Sequence, residues 1–116
     1  MSHPHVLSAS TVIGDKVVNG SGEDLGKIEE IMVDVDDDRI AYAVMSFGGF
    51  LGIGDKLFAV PWNALKLDAE NKRFILSVPK DRLESAPGFD KNHWPDLADR
   101  NLASEIYRHY ETPTYW

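Results

Sequence analysis

Cysteine is absent from this 116-residue chain. That excludes disulfides and thiolate-held metals, removes the strongest side-chain nucleophile, and accords with a reducing compartment. Long apolar runs are missing as well: no stretch reaches the roughly 18 residues that a membrane-spanning helix needs, so no membrane insertion is expected. The opening MSHPHVLSAST has neither a basic n-region nor an apolar h-region and does not read as a signal peptide. A cytoplasmic protein is the simplest expectation. Bases are scarce, with 12 Lys and Arg against 19 Asp and Glu, a net charge of −7. The imbalance lies in residues 1–60, which hold ten acids and four bases, whereas residues 61–116 hold nine and eight. Nucleic-acid affinity rests largely on neutralising phosphates with Lys and Arg, so no nucleic-acid partner is expected. Net negative charge also serves solubility.

What the chain does have is enough apolar and aromatic residue (43% hydrophobic, with five Phe, three Trp and four Tyr) for one well-buried domain. The most informative stretch is Ile40 to Trp62. It alternates like a strand, breaks at Gly48, Gly49, Gly52 and Gly54, resumes as a strand and stops at Pro61-Trp62. A glycine cluster between apolar strands gives the backbone a sharp bend, as at the corner of a small barrel. Residues 1–10 read as a loose arm. Short strands are predicted at about Ile13–Val18, Leu25–Val35, Arg39–Phe47, Lys56–Val60, Leu65–Leu67 and Arg73–Val78, separated by Gly and Asx turns. Both faces of Arg39–Phe47 are apolar, so one lines a core and the other meets the C-terminal segment or a partner. Pro61–Ala64 reads as one helical turn, and Pro79–Leu83 begins a short helix. Beyond Trp94 the spacing of Ala98, Leu102, Ile106 and Tyr110, with Ala103 and Tyr107 alongside, predicts an amphipathic helix of about 14 residues started by Pro95 and Asp96. The domain plan is therefore an arm (1–10), a barrel (11–83) and a C-terminal helical extension (84–116) that packs on the barrel or on a partner subunit.

Catalytic and metal chemistry find little footing. Taken as a calcium loop, Asp34–Asp38 would need Gly at its sixth position and Glu at its twelfth, where Arg39 and Met45 stand. The run reads instead as a solvated hairpin turn, with divalent-cation binding as its alternative. Gly49 and Gly54 have phosphate-loop spacing, but Asp55 occupies the lysine position, and no Gly-x-Gly-x-x-Gly occurs. His3 and His5 lie in the arm without a third ligand. No Ser sits in a Gly-x-Ser-x-Gly elbow, and Glu29 and Glu30 face opposite sides of a strand. No catalytic, cofactor-binding or metal-binding residue is assigned, and no enzymatic activity is expected.

The ordered series Gly14-Asp15-Lys16-Val17-Val18, Gly22-Glu23-Asp24-Leu25-Gly26-Lys27-Ile28, Asp34 with Arg39-Ile40-Ala41-Tyr42-Ala43-Val44, and Phe58-Ala59-Val60-Pro61-Trp62 resembles a PRC-barrel domain. This is the barrel shared by the cytoplasmic part of the reaction-centre H subunit and the C-terminal part of the ribosome maturation factor. The resemblance covers about residues 11–83. It implies a mainly β fold: a small antiparallel barrel of about six strands, used as an interaction platform, with no catalytic residues to carry over. The glycine corner is similar to free-standing bacterial members, which are often linked to stress responses or self-associate. The expectation is an interaction or assembly module, homodimeric and with a further protein partner. Phe47, Phe50, Leu51, Trp62 and Trp94 are its candidate anchors, since interface cores favour such side chains. A small-ligand or divalent-metal barrel, or an RNA-associated factor, are the alternatives.

Overall fold

Two long strands and a tight acidic turn form the centre of the molecule. Strand β2 (Asp24–Asp34) pairs antiparallel with β3 (Arg39–Phe47), from Lys27 opposite Ser46 to Asp34 opposite Arg39. The turn is built by side-chain chemistry: Asp34 Oδ1 accepts from the backbone N–H groups of Asp36 (3.1 Å) and Asp37 (3.2 Å), and Asp38 takes φ +54°. Asp is suited to both tasks, because its short carboxylate bonds nearby backbone and tolerates the left-handed region. In the computed structural model, which describes residues 5–47 and 56–116, this hairpin lies within a seven-stranded sheet.

The remaining elements, in chain order, are α1 (Ala9–Val12), β1 (Lys16–Val18), β4 (Lys56–Pro61), a 3-10 turn at Trp62–Ala64, β5 (Leu65–Asp68), β6 (Arg73–Leu76), α2 (Lys80–Glu84), β7 (Phe89–Asp90) and α3 (Arg100–His109). The sheet order is β5-β6-β1-β2-β3-β4-β7. The mainly antiparallel sheet is consistent with a PRC-type barrel, but its edge strands β5 and β7 are not bonded to each other. Six of the expected elements are strands; β7, only two residues long and paired with β4, adds the seventh. One pairing departs from the antiparallel expectation. After the 3-10 turn and the β5–β6 hairpin, β6 arrives beside β1 running parallel to it, with Val17 opposite Phe74.

Other departures have local causes. Residues 9 and 10, expected at the end of the arm, open a helical turn: the Ser8 side chain accepts from Thr11 N and caps Ala9–Val12, which buries Val12. That turn ends at Ile13, and Gly14 follows at φ +98°, so β1 begins only at Lys16. Helix α3 starts at Arg100 because Asp99, capping Asn101 N at 2.9 Å, is its true N-cap. Asp96 instead caps a separate turn through Ala98 N. The buried stripe is narrower than its spacing predicts. Ala103, Ile106, Tyr107 and Tyr110 are buried, Leu102 is half-buried, and Ala98 is exposed ahead of the helix.

The core runs through both sides of β3, where Tyr42 to Phe47 are all buried. Tyr42 meets Tyr107 of α3 edge-on, with centroids 5.8 Å apart, and the Tyr107 hydroxyl donates to the Ala41 carbonyl at 2.7 Å. The C-terminal segment thus covers the second apolar face of β3. At Gly26, φ is +134° and a Cβ would stand 1.8 Å from the Ser46 carbonyl oxygen, so only glycine lets β2 lie this close to β3.

Candidate interaction surface

The proposed anchors occupy different environments. Phe47 is buried, its ring 6.2 Å from Phe58. Trp62 is half-buried on the 3-10 turn, 5.7 Å from Phe74. Trp94 is 41% exposed and rests on Phe89, with centroids 5.1 Å apart. Phe50 and Leu51 lie outside the described residues. Among the described anchors, Trp94 shares a concavity with Ser46 and Leu57, whereas Trp62 packs on Phe74.

A tighter constellation forms where the end of the chain returns to the acidic turn. The Tyr115 hydroxyl donates to Asp34 Oδ2 at 2.5 Å, and Arg100 Nη2 approaches the same oxygen at 3.5 Å. The Arg39 guanidinium stacks over the Tyr115 ring at 4.0 Å, and Arg100 lies 4.5 Å from the Trp116 centroid. Tyr107 meets both terminal rings edge-on. The two carboxylate oxygens of Asp34 therefore have separate tasks, one shaping the hairpin turn and the other holding the tail. The bond from Tyr115 leads the causes that hold the Asp34 carboxyl below its ordinary value, with burial opposing it and the Asp36 and Asp37 amides and Arg100 assisting. Burial pushes the Tyr42 hydroxyl up to about 12, and raises Tyr107 further.

This clasp was not legible in the sequence, since Tyr115 and Asp34 stand 81 positions apart. It borders a groove of about 370 Å³, whose apolar lining is Met32, Val33, Val35, Ala41, Tyr42, Leu97 and Ala98, with Asp34, Asp36, Arg100 and Tyr115 as its polar members. Val33 and Val35 are 61% and 77% exposed. A second, more apolar concavity of about 590 Å³ lies between the N-terminal segment (His5, Val6, Leu7) and Trp62, Leu65, Leu67 and Phe74.

Among the described residues no three His, Asp or Glu side chains gather as a metal site. The tail engages Asp34 of the acidic turn, and Ser46 donates to Glu29 at 3.1 Å. No described helix is long and apolar enough to cross a membrane.

Against known proteins, no curated sequence matches the chain significantly. The family model for the PRC-barrel domain matches residues 4–83, more than half of the chain, and includes α1, the acidic hairpin and the Pro61-Trp62 stop. The mainly β fold and the matched span agree, and the chain belongs to the PRC-barrel domain family.

Proposed function

We propose that this protein is a non-enzymatic interaction or assembly module, cytoplasmic, homodimeric, and joined to a further protein in a stress-related role. The observation that carries the reading is the PRC-barrel match over residues 4–83. The exposed apolar side chains Val33 at the end of β2, Val35 in the acidic turn and Trp94 in the loop after β7 support it. Rigid strands that present apolar side chains beside polar ones are what a docking surface requires. Tyr107 of α3 already packs on β3 at Ala41 and Tyr42, so the dimer contact falls to the Phe50–Leu51 segment. Light scattering across micromolar concentrations tests the dimer: twice the 13.0 kDa chain mass is expected, and a monomer mass throughout overturns it. Replacing Phe50 and Leu51 with Ser is expected to shift the equilibrium towards monomer with little change in melting temperature.

The 590 Å³ apolar concavity beside Trp62 favours a second reading, a small-ligand barrel. A rise in melting temperature with an apolar small molecule, lost in Trp62→Ala, would promote it.

A further inference from the structure

The groove between the acidic hairpin and the turn before α3 has an apolar floor and an acidic rim. Its floor is made by Met32, Val33, Val35, Ala41 and Leu97, and Val33 and Val35 remain largely in solvent. Asp36 lines it, and exposed Asp37 and Asp38 continue the same turn. Across the groove, exposed Asp96 and Asp99 flank Leu97 and Ala98 in sequence. The cation in the lining, Arg100, is engaged by Asp34 and by the Trp116 ring. The uncompensated charge around the apolar floor is therefore negative.

We propose that this groove is the docking surface for an extended basic segment of a partner protein, one that alternates Lys or Arg with aliphatic residues. Aliphatic side chains of that segment cover Val33 and Val35, while its cations face Asp36–Asp38 on one rim and Asp96 and Asp99 on the other. Charge selects this occupant over a second copy of the chain, whose surface is itself acidic. Opposite charge steers encounter, and burial of the two valines supplies affinity. This rests on the reading of the protein as an interaction module and names the chemistry of its partner.

The test is titration of the full chain with the peptide Lys-Val-Lys-Leu-Lys-Val-Lys, followed by methyl NMR, with the Glu-for-Lys peptide as control. Shifts are expected at the methyls of Val33, Val35 and Leu97, weakening with added salt, and no binding is expected of the acidic control. The double substitution Val33→Ser with Val35→Ser should lower affinity about tenfold or more at unchanged melting temperature, because both side chains are exposed. Asp36→Asn with Asp37→Asn should reduce both the affinity and its salt dependence. Equal binding of the acidic peptide, shifts centred on Leu65 and Leu67, unaltered affinity in both variants, or no binding of the basic peptide overturns the proposal. Light scattering of the same samples keeps the readings apart, since a dimer that persists without peptide binding removes this surface and leaves the module intact.

Discussion

Two tyrosines, Tyr107 in α3 and Tyr110 at its C-cap, show how differently a hydroxyl can act. Tyr107 donates to the Ala41 carbonyl, whereas the Tyr110 hydroxyl, equally buried, has no hydrogen-bond partner among the described residues. Burial raises the pKa of both. Tyr107→Phe should lower stability by about 1–2 kcal/mol, since it strands a backbone carbonyl. Tyr110→Phe should leave stability unchanged or raise it by about 1 kcal/mol, since it removes a desolvated donor. Urea denaturation of the two variants checks the contrast. At Gly26 the difficulty is backbone: Gly26→Ala combines a positive φ with a Cβ driven into the Ser46 carbonyl, and should cost about 3 kcal/mol or more. Asp34 brings pH into the tail clasp. Its carboxyl is held below the ordinary 3.8, chiefly by Tyr115, so the folded state binds the proton less readily than the unfolded chain. The stabilisation is present above that value and is lost as pH falls through the lowered folded value. Asp34→Asn should flatten the acid limb of the stability profile, read by thermal melts between pH 5 and pH 2. The sequence places Asp34 in a turn, but nothing local announces that its second oxygen holds the tail.

At the scale of elements, local chemistry made most strands legible and tertiary pairing supplied the rest. The β2–β3 hairpin, β4 with its Pro61-Trp62 stop, and the β5–β6 hairpin each carry apolar alternation bounded by Asx, Gly or Pro, which are signals read from adjacent residues. Strand β7 carries no such signal: Phe89 and Asp90 become strand only because β4 offers an edge. The parallel β1–β6 pairing was equally hidden, since it depends on where the chain travels between residues 18 and 73. Helix α3 was legible by its period but not by its start: Asp99 and not Asp96 caps it, so Ala98 falls outside the helix, while Leu102 is only half-buried. The difference in burial along the stripe sets a testable order. Ile106→Ala, on the buried stripe, should cost about 2–5 kcal/mol. Leu102→Ala, half-buried, should cost clearly less. A larger loss at Leu102 in paired denaturant titrations would place Leu102, and not Ile106, at the centre of the buried stripe.

Taken whole, the molecule sets its acidic face on the hairpin whose other face is closed by the end of the chain. Charge and packing meet there: Arg39 and Arg100, two of its 12 Lys and Arg residues, are drawn into the clasp with Asp34, Tyr115 and Trp116. Their guanidinium groups stack on aromatic rings, which leaves them less available to phosphates. The remaining bases are outnumbered at a net charge of −7. Counterion release from a nucleic acid scales with the number of phosphates that Lys and Arg neutralise, so a surface of this balance gains little from it. Nor, among the described residues, do the exposed aromatics offer a stacking platform, because Trp94 rests on Phe89 and Trp116 meets Tyr107 and Tyr115 edge-on. Neither duplex nor single-stranded nucleic acid should bind specifically at physiological salt. Fluorescence anisotropy with labelled RNA and DNA, repeated at low and high salt, checks this. A submicromolar affinity that weakens as salt is added would place phosphate recognition on this barrel, and Arg39 and Arg100 would then have to leave the tail to provide it.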